Sequence, residues 1–350
     1  MVYIGVDLHR KQSQLVAMDQ EGEVLLTRRV SSTPADVFRV FGELQAQPME
    51  VAFEATFGWG WFADMLADAG IPAHMAHPLA TKAIAASRVK NDSVDARTLA
   101  HLLRAGLLPE AWIAPPEVRE ARRLVRMRAG LVRVRSRLKC QIHAVLGDHG
   151  VLSASSDLFG SDGRRQLEAL KLPRISKHRV EANLRLIDDL EDEVEIAEGE
   201  IKKLFVKDSR IRRLLPIPGI GFTTAATIVA EVWDISRFSS PEQLCSWAGL
   251  TPSERSSAGH TRRGHVSKQG SRWLRWILVE AAIHALRNLQ LRQWYLAIAD
   301  RRGEMIARVA VARRLCTLAF YALRDPQGCR AFPVSTTSGR ALFVNCHGLS

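Results

Sequence analysis

The chain has 350 residues, 47% of them hydrophobic, and this length points to two domains with connecting helices rather than one core. Its 49 Lys and Arg against 37 acids give a formal net charge of +12, which favours an anionic polymer as partner. No apolar run reaches the roughly 20 residues of a spanning helix, and with no leader expected before the first strand the chain reads as cytosolic. Five scattered cysteines without a CxxC, Cys140, Cys245, Cys316, Cys329 and Cys346, argue against a zinc site or a disulfide framework.

Residues 2 to 8 read as a strand, 12 to 18 and 23 to 30 as a hairpin around Gln20-Glu21-Gly22, and 49 to 55 as a strand after a helix at about 34 to 46. A helix covers Trp59 to Ala69 and stops at Gly70. A strand near Pro72 to Ala76 then precedes the helix opened by Asn91-Asp92-Ser93. Three antiparallel strands followed by alternating helix and strand is the order of a ribonuclease-H-like α/β fold, with the first strand central.

Pro115-Pro116 marks a boundary, followed by a long helix to about Val145. Between Arg119 and Lys139 nine basic residues stand against one acid, Glu120. A solvated face usually mixes signs for i,i+4 pairing, so the imbalance predicts nucleic-acid contact, with Arg126 and Arg133 as candidates. Residues 151 to 174 read as loop or short helices. Val180, Asn183, Ile187, Leu190, Val194, Ala197, Ile201 and Leu204 then keep the 3,4 spacing of a coiled-coil seam, with an acidic face from Asp188 to Glu200. The two rods either pack on each other within one chain or build a dimer.

The last domain, from about Arg210, reads as helical to Arg324. Its segment Pro218-Gly219-Ile220-Gly221 before an apolar helix resembles a helix-hairpin-helix turn, in which Gly219 and Gly221 let backbone N–H groups approach a phosphate. From Arg255 to Arg314 thirteen cations stand against three acids, with Trp273, Trp276 and Trp294 interleaved, most of them expected in the core. The expected boundaries are 1–112, 113–209, 210–328 and a tail, 329–350.

Four acids stand where elements end or begin. Asp7 closes the first strand, Glu54 closes Val51-Ala52-Phe53, and Asp92 and Asp95 open a helix. Singly, each aspartate reads as a helix or strand terminus. Together on a basic chain they predict a site for hard divalent cations, Mg2+ or Mn2+, which offset carboxylate repulsion and support phosphoryl transfer. His9, His74 and His77 nearby read as packing or phosphate-contacting residues rather than ligands.

These acids, the two rods, the Pro-Gly-Ile-Gly turn and Ala248-Gly249-Leu250-Thr251-Pro252-Ser253-Glu254-Arg255-Ser256-Ser257-Ala258-Gly259 occur in one order. The whole resembles the DEDD transposases of the IS-one-ten (IS110) insertion-sequence family, also called bridge-RNA-guided serine recombinases. The resemblance implies a RuvC-like domain with Asp7, Glu54, Asp92 and Asp95 as metal-binding acids. It also implies a coiled-coil linker and a helical transposase domain supplying a nucleophilic serine. Family members usually carry Ser-Gly there, so Ser257 aligns with the nucleophile, while Ala258 in place of glycine leaves Ser256 as an alternative. Arg262, Arg263, Lys268 and Arg272 follow closely, where they could clamp phosphates; their bland reading is a solubilising loop.

The implied activity is cutting and rejoining donor and target DNA through a phosphoserine intermediate. The implied partners are DNA, a structured noncoding bridge RNA and further copies of the chain, in the bacterial cytoplasm. Two other readings stay open: a metal-only nuclease of the Holliday-junction kind, with water as nucleophile, and a noncatalytic nucleic-acid scaffold.

Overall fold

The computed structural model describes the chain except residues 45–46, 57, 85–91, 153–156, 258–259, 326–331, 336–340 and 345–350. Of the side chains, those at 254–263, 332–335 and 341–344 also lie outside the description. Two compact units emerge, Met1–Arg119 and Glu120–Ser350.

The first unit runs β1 (Val2–Asp7), β2 (Gln12–Met18), β3 (Val24–Ser31), α1 (Pro34–Gly42), β4 (Met49–Glu54), α2 (Trp59–Asp68), β5 (Ala73–Ala76), α3 (Pro78–Ile84) and α4 (Asp92–Arg104). Its sheet has the order β3-β2-β1-β4-β5. β1 is antiparallel to β2 and parallel to β4, with Val6 opposite Phe53, which is the ribonuclease-H-like order expected. α3 was not expected.

Period-2 alternation decides what each face of β1 meets. Val2, Ile4 and Val6 join Phe53, Val37, Val40, Phe41, Phe62 and Leu66 in one core, against α1 and α2. The opposite face turns to α4, where Tyr3 packs with Val16, Met18, Ala96 and Ala100. At Gly5 the approach is so close that a Cβ would stand 1.9 Å from the Ala96 carbonyl oxygen and 2.6 Å from the Ala100 nitrogen. Glycine in the strand and alanines at i and i+4 of the helix let the two backbones touch. Asp7, two residues along the same face, is thereby brought to the first turn of α4.

The second unit takes up α5 (Pro116–Asp148) and continues with α6 (Ser161–Ala169), α7 (Arg174–Phe205), α8 (Ser209–Leu214), α9 (Phe222–Val232) and α10 (Pro241–Trp247). There follow β6 (Pro252–Ser257), β7 (His260–Val266), α11 (Arg272–Ala285), α12 (Leu289–Arg302), α13 (Glu304–Arg324), β8 (Phe332–Ser335) and β9 (Ala341–Val344). α5 and α7 run antiparallel within the chain. Arg128 pairs with Glu198 at 2.6 Å and Arg135 with Glu191 at 3.6 Å, while Asn183 donates to Gln141 at 3.3 Å. Ile142, Val145 and Leu146 meet Val180 and Ile187 at the far end.

The near ends of both rods are buried with the C-terminal helices: Ala121, Val125, Ile201 and Phe205 share one core with α8 to α13. Residues on both sides of the expected boundary near 209 thus contribute to one core. The all-helical expectation for the last domain is corrected, since β6 and β7 form an antiparallel hairpin. The expected tail likewise contains a β8–β9 pair. Cys245 and Cys316 are buried thiols and Cys140 is exposed; Cys329 and Cys346 lie outside the described residues.

Candidate active site

The carboxyl-terminal edge of β1 and β4 carries Asp7 and Glu54. Asp7 is only 7% exposed. Glu54 ends β4 one position beyond the Val6–Phe53 pair, so it stands beside Asp7 across the parallel ladder. The Thr56 hydroxyl donates to the Leu8 carbonyl at 2.9 Å, tying the two strand ends together. α4 supplies Asp92 and Asp95 from its first turn, where negative charge is also favourable to the helix dipole. Asn91, just before them, lies outside the described residues.

His9 stands between two of these acids. Its Nε2 donates to Asp7 Oδ2 at 3.1 Å and lies 3.7 Å from Asp92 Oδ1. Among the described residues, Asp7, His9 and Asp92 offer donor atoms all within 4.8 Å of one another. Burial holds the Asp7 carboxyl above its ordinary value, with Asp92 and Asp95 adding to the rise and His9 opposing it. A buried carboxyl with two further acids nearby is an arrangement that a hard cation would stabilise. Sequence reasoning placed His9 outside the ligand set, because nothing local distinguishes an imidazole two residues after a strand end from a packing residue.

Beside the acids an open cleft is lined by His9, Lys11, Gln12, Arg29 and Ser31. Arg29 Nη2 approaches Asp92 Oδ2 at 4.0 Å. Cations set next to a metal-type acid cluster suit a phosphodiester, whose bridging group needs both. The run Asp7-Leu8-His9-Arg10-Lys11 was the available signal for this cleft.

The candidates in the second unit separate by role. Gly219 has φ +80° and packs so closely on α11 that a Cβ would stand 2.4 Å from the Ala281 carbonyl oxygen; its backbone conformation and this packing both favour glycine. Gly221 caps α9 without a side-chain hydrogen bond and has open space around its Cα, so the N–H groups behind it remain the phosphate-contact candidates.

Most of the nine cations of the basic rod have partners within the chain. Arg126 forms a two-bonded ion pair with Glu231, at 2.7 and 2.9 Å, and Glu231 is fully buried. Arg122 donates to the carbonyls of Ala230 and Glu231. Arg119 meets Asp64, Arg123 meets Glu120, and Arg128, Arg135 and Lys139 meet acids of α7. Arg133, exposed beside Trp273, has no acid partner among the described residues, and neither has Arg137.

Lys268 is exposed, with φ 54°, in the loop before α11, and Arg272 opens that helix. Ser256 and Ser257 lie on β6, with Ser257 opposite His260 in the ladder, and Arg262 and Arg263 lie on β7. The side chains of these four residues, and Ala258 with Gly259 entirely, lie outside the description.

Comparison with known proteins places these features in a family. A sequence profile of DEDD transposases of the IS110 type, described as "Transposase", matches residues 4–150. A second, described as "Transposase IS116/IS110/IS902 family", matches residues 211–296. The chain is 28% identical to the "Transposase for insertion sequence element IS1111A" of Coxiella burnetii, over 89% of this chain and 86% of the relative. It is 27% identical to a Pseudomonas aeruginosa protein named "Probable family 20 transposase", over 89% and 93%. It is 25% identical to the "Transposase for insertion sequence element IS1328" of Yersinia enterocolitica, over 91% and 95%. A Thermus thermophilus RuvC structure matches 32% of this chain and 100% of its own at 18% identity, but the TM-score of 0.22 decides nothing. With both profiles matched in order, and relatives aligned along some nine-tenths of its length, the chain belongs to the IS110 family of insertion-sequence DNA transposases.

Proposed function

We propose that this transposase cuts and rejoins DNA strands through a composite site, in which Asp7, Glu54, Asp92 and Asp95 hold Mg2+ or Mn2+ and Ser257 is the nucleophile. The observation that carries the reading is the meeting of Asp7 and Asp92 at one sheet edge, with the Asp7 carboxyl raised by burial and by its acidic neighbours. The donor set fits a hard divalent ion, because carboxylate oxygens dominate it. A bound divalent cation supplies charge stabilisation at the reacting phosphate.

The protein's own residues account for the rest. Gly5 and the alanines of α4 fix the acids in place before any substrate arrives. Lys11 and Arg29 hold the phosphodiester beside them. The Ser257 Oγ forms a bond to phosphorus, the phosphorus bond to the 3′ oxygen breaks, and the serine proton passes in net terms to that departing oxygen. The phosphoserine ester keeps one phosphodiester-type linkage, so a 3′ hydroxyl of another strand can displace serine without an external energy source.

Resemblance to the family supports two partners beyond DNA: a structured noncoding bridge RNA, read through backbone and shape, and further copies of the chain, since exchange requires two duplexes held together. The site of action is then the cytoplasm, and no helix among the described residues is long and apolar enough to cross a membrane.

Incubation with element-end DNA and Mg2+, then denaturing electrophoresis and peptide mapping, tests the proposal. A covalent protein–DNA adduct on the Ser257 peptide is expected, lost in both Ser257→Ala and Asp7→Asn. Cleavage without adduct, undiminished in Ser257→Ala, would establish water as nucleophile and overturn the serine assignment. Sequencing of RNA that copurifies with the protein decides the guide; absence of one recurring RNA leaves direct protein readout of DNA.

A further inference from the structure

A cavity of about 400 Å³ opens between α5 and α11 in the second unit, lined among others by Val132, Arg133, Arg272, Trp273, Trp276 and Glu280. Its walls are mainly aromatic and aliphatic, and its mouth is cationic. Trp276 packs on the main core of the unit. Trp273 instead carries guanidinium groups on its ring, that of Arg272 at 4.7 Å and that of Arg133 at 6.0 Å from the centroid.

The same two arginines stand apart from the others nearby. Arg119, Arg123, Arg126, Arg128 and Arg135 are held by acids, whereas Arg133 and Arg272 have no acid partner among the described residues. The helix start that presents Arg272 and Trp273 is anchored from within. Ser271 caps α11 by accepting from the Leu274 N–H and donates its own hydroxyl to buried Glu231 at 2.9 Å. Arg126 locks the other side of Glu231 to α5. Both walls of the cavity are therefore fixed to one buried carboxylate.

From this we infer that the Trp273–Trp276 cavity takes one unpaired nucleotide of a DNA strand, the base against the indoles and its phosphate between Arg133 and Arg272. Flat π faces beside guanidinium groups that have no acid partner among the described residues match a base joined to an anion better than they match a peptide. A cavity of this size accepts a base only after it has left the duplex stack. Glu280 at the wall is an acceptor for an exocyclic amino group. The choice of DNA rests on the proposed function, because α11 follows directly on the hairpin that bears Ser257, where strand opening accompanies strand exchange.

The test uses the full chain without divalent metal, so that no cleavage intervenes. Fluorescence anisotropy measures binding of a short single-stranded DNA, the same sequence as duplex, and the same sequence as RNA. Trp273→Ala is expected to weaken single-stranded DNA binding by about tenfold, the loss of one base–aromatic stack, while duplex binding changes less than about twofold. Trp273→Phe is expected to restore most of the difference. In the unsubstituted protein, a 5-iodouracil-labelled strand is expected to photocrosslink to Trp273 or Trp276, a readout that stands even if Trp273→Ala fails to fold.

Unchanged single-strand affinity in a folded Trp273→Ala, equal loss on single strand and duplex, crosslinks confined to other peptides, or tenfold tighter RNA binding that depends on Trp273 would each overturn the inference. None of these readouts involves the adduct at Ser257, so the two proposals fail separately.

Discussion

Replacing Asp7 with asparagine removes the buried charge on which the acid cluster turns, and its consequences can be worked from the geometry. The donor atoms of Asp7 and Asp92 lie within 4.8 Å of each other. Two unit charges at that separation repel by about 1 kcal/mol in water and about 3.5 kcal/mol at an effective dielectric of 20. Asp92 is 46% exposed, and the His9 imidazole offsets part of the field, so the repulsion relieved is about 1–2 kcal/mol. Metal-free Asp7→Asn is therefore expected to melt roughly 1–3 °C above the unsubstituted protein.

The pH dependence has a definite sign. The folded chain binds the Asp7 proton more tightly than the unfolded chain does, so this group's contribution to stability is full below the ordinary carboxylate value and is lost as pH rises through the raised one. The advantage of Asp7→Asn should thus vanish in acid and appear towards neutrality. With Mg2+ at a hundredfold its dissociation constant, the unsubstituted protein gains about 2.7 kcal/mol and overtakes the variant, which gains little. Differential scanning calorimetry at several pH values, with and without Mg2+, measures all of this. A variant that is less stable without metal at neutral pH, or that keeps the full Mg2+ shift, would falsify the assignment of Asp7 as a metal-binding acid.

Gly5→Ala forces a Cβ into the Ala96 carbonyl; a loss above about 3 kcal/mol is expected, together with loss of the Mg2+ shift, and wild-type melts would show that α4 can move aside. Gly219→Ala should cost a similar amount by denaturant titration, since both its positive φ and its contact with Ala281 forbid a side chain. Gly221→Ala should cost no more than about 1 kcal/mol because its surroundings are open. Arg126→Ala strands a fully buried carboxylate and should destabilise by about 3–5 kcal/mol, leaving the salt slope of DNA binding unchanged. Arg137→Ala, which breaks no ion pair among the described residues, should leave stability alone and reduce that slope by about 0.9; equal behaviour of the two arginines in both assays would contradict the division drawn along α5.

The local pattern of the chain determined most of the first unit and the placement of its acids. Strand alternation, the turn at Gln20-Glu21-Gly22 and the acid-opened helix at Asp92 are written in neighbouring residues, so Asp7, Glu54, Asp92 and Asp95 could be assigned to element ends before any contact was seen. The polar hairpin of β6 and β7 is not legible in the sequence, because Pro-Ser-Glu-Arg-Ser-Ser and His-Thr-Arg-Arg-Gly-His-Val lack the apolar alternation that marks a strand. Tertiary structure alone decided how charge is shared. Glu231 and the acids of α7 lie some 50 to 105 residues from the α5 cations they neutralise. It also made His9 part of the acid cluster and gave Gly219 a packing reason. Periodicity reports which face of an element is buried, whereas ion-pair partners and close backbone approaches depend on which distant segment packs there.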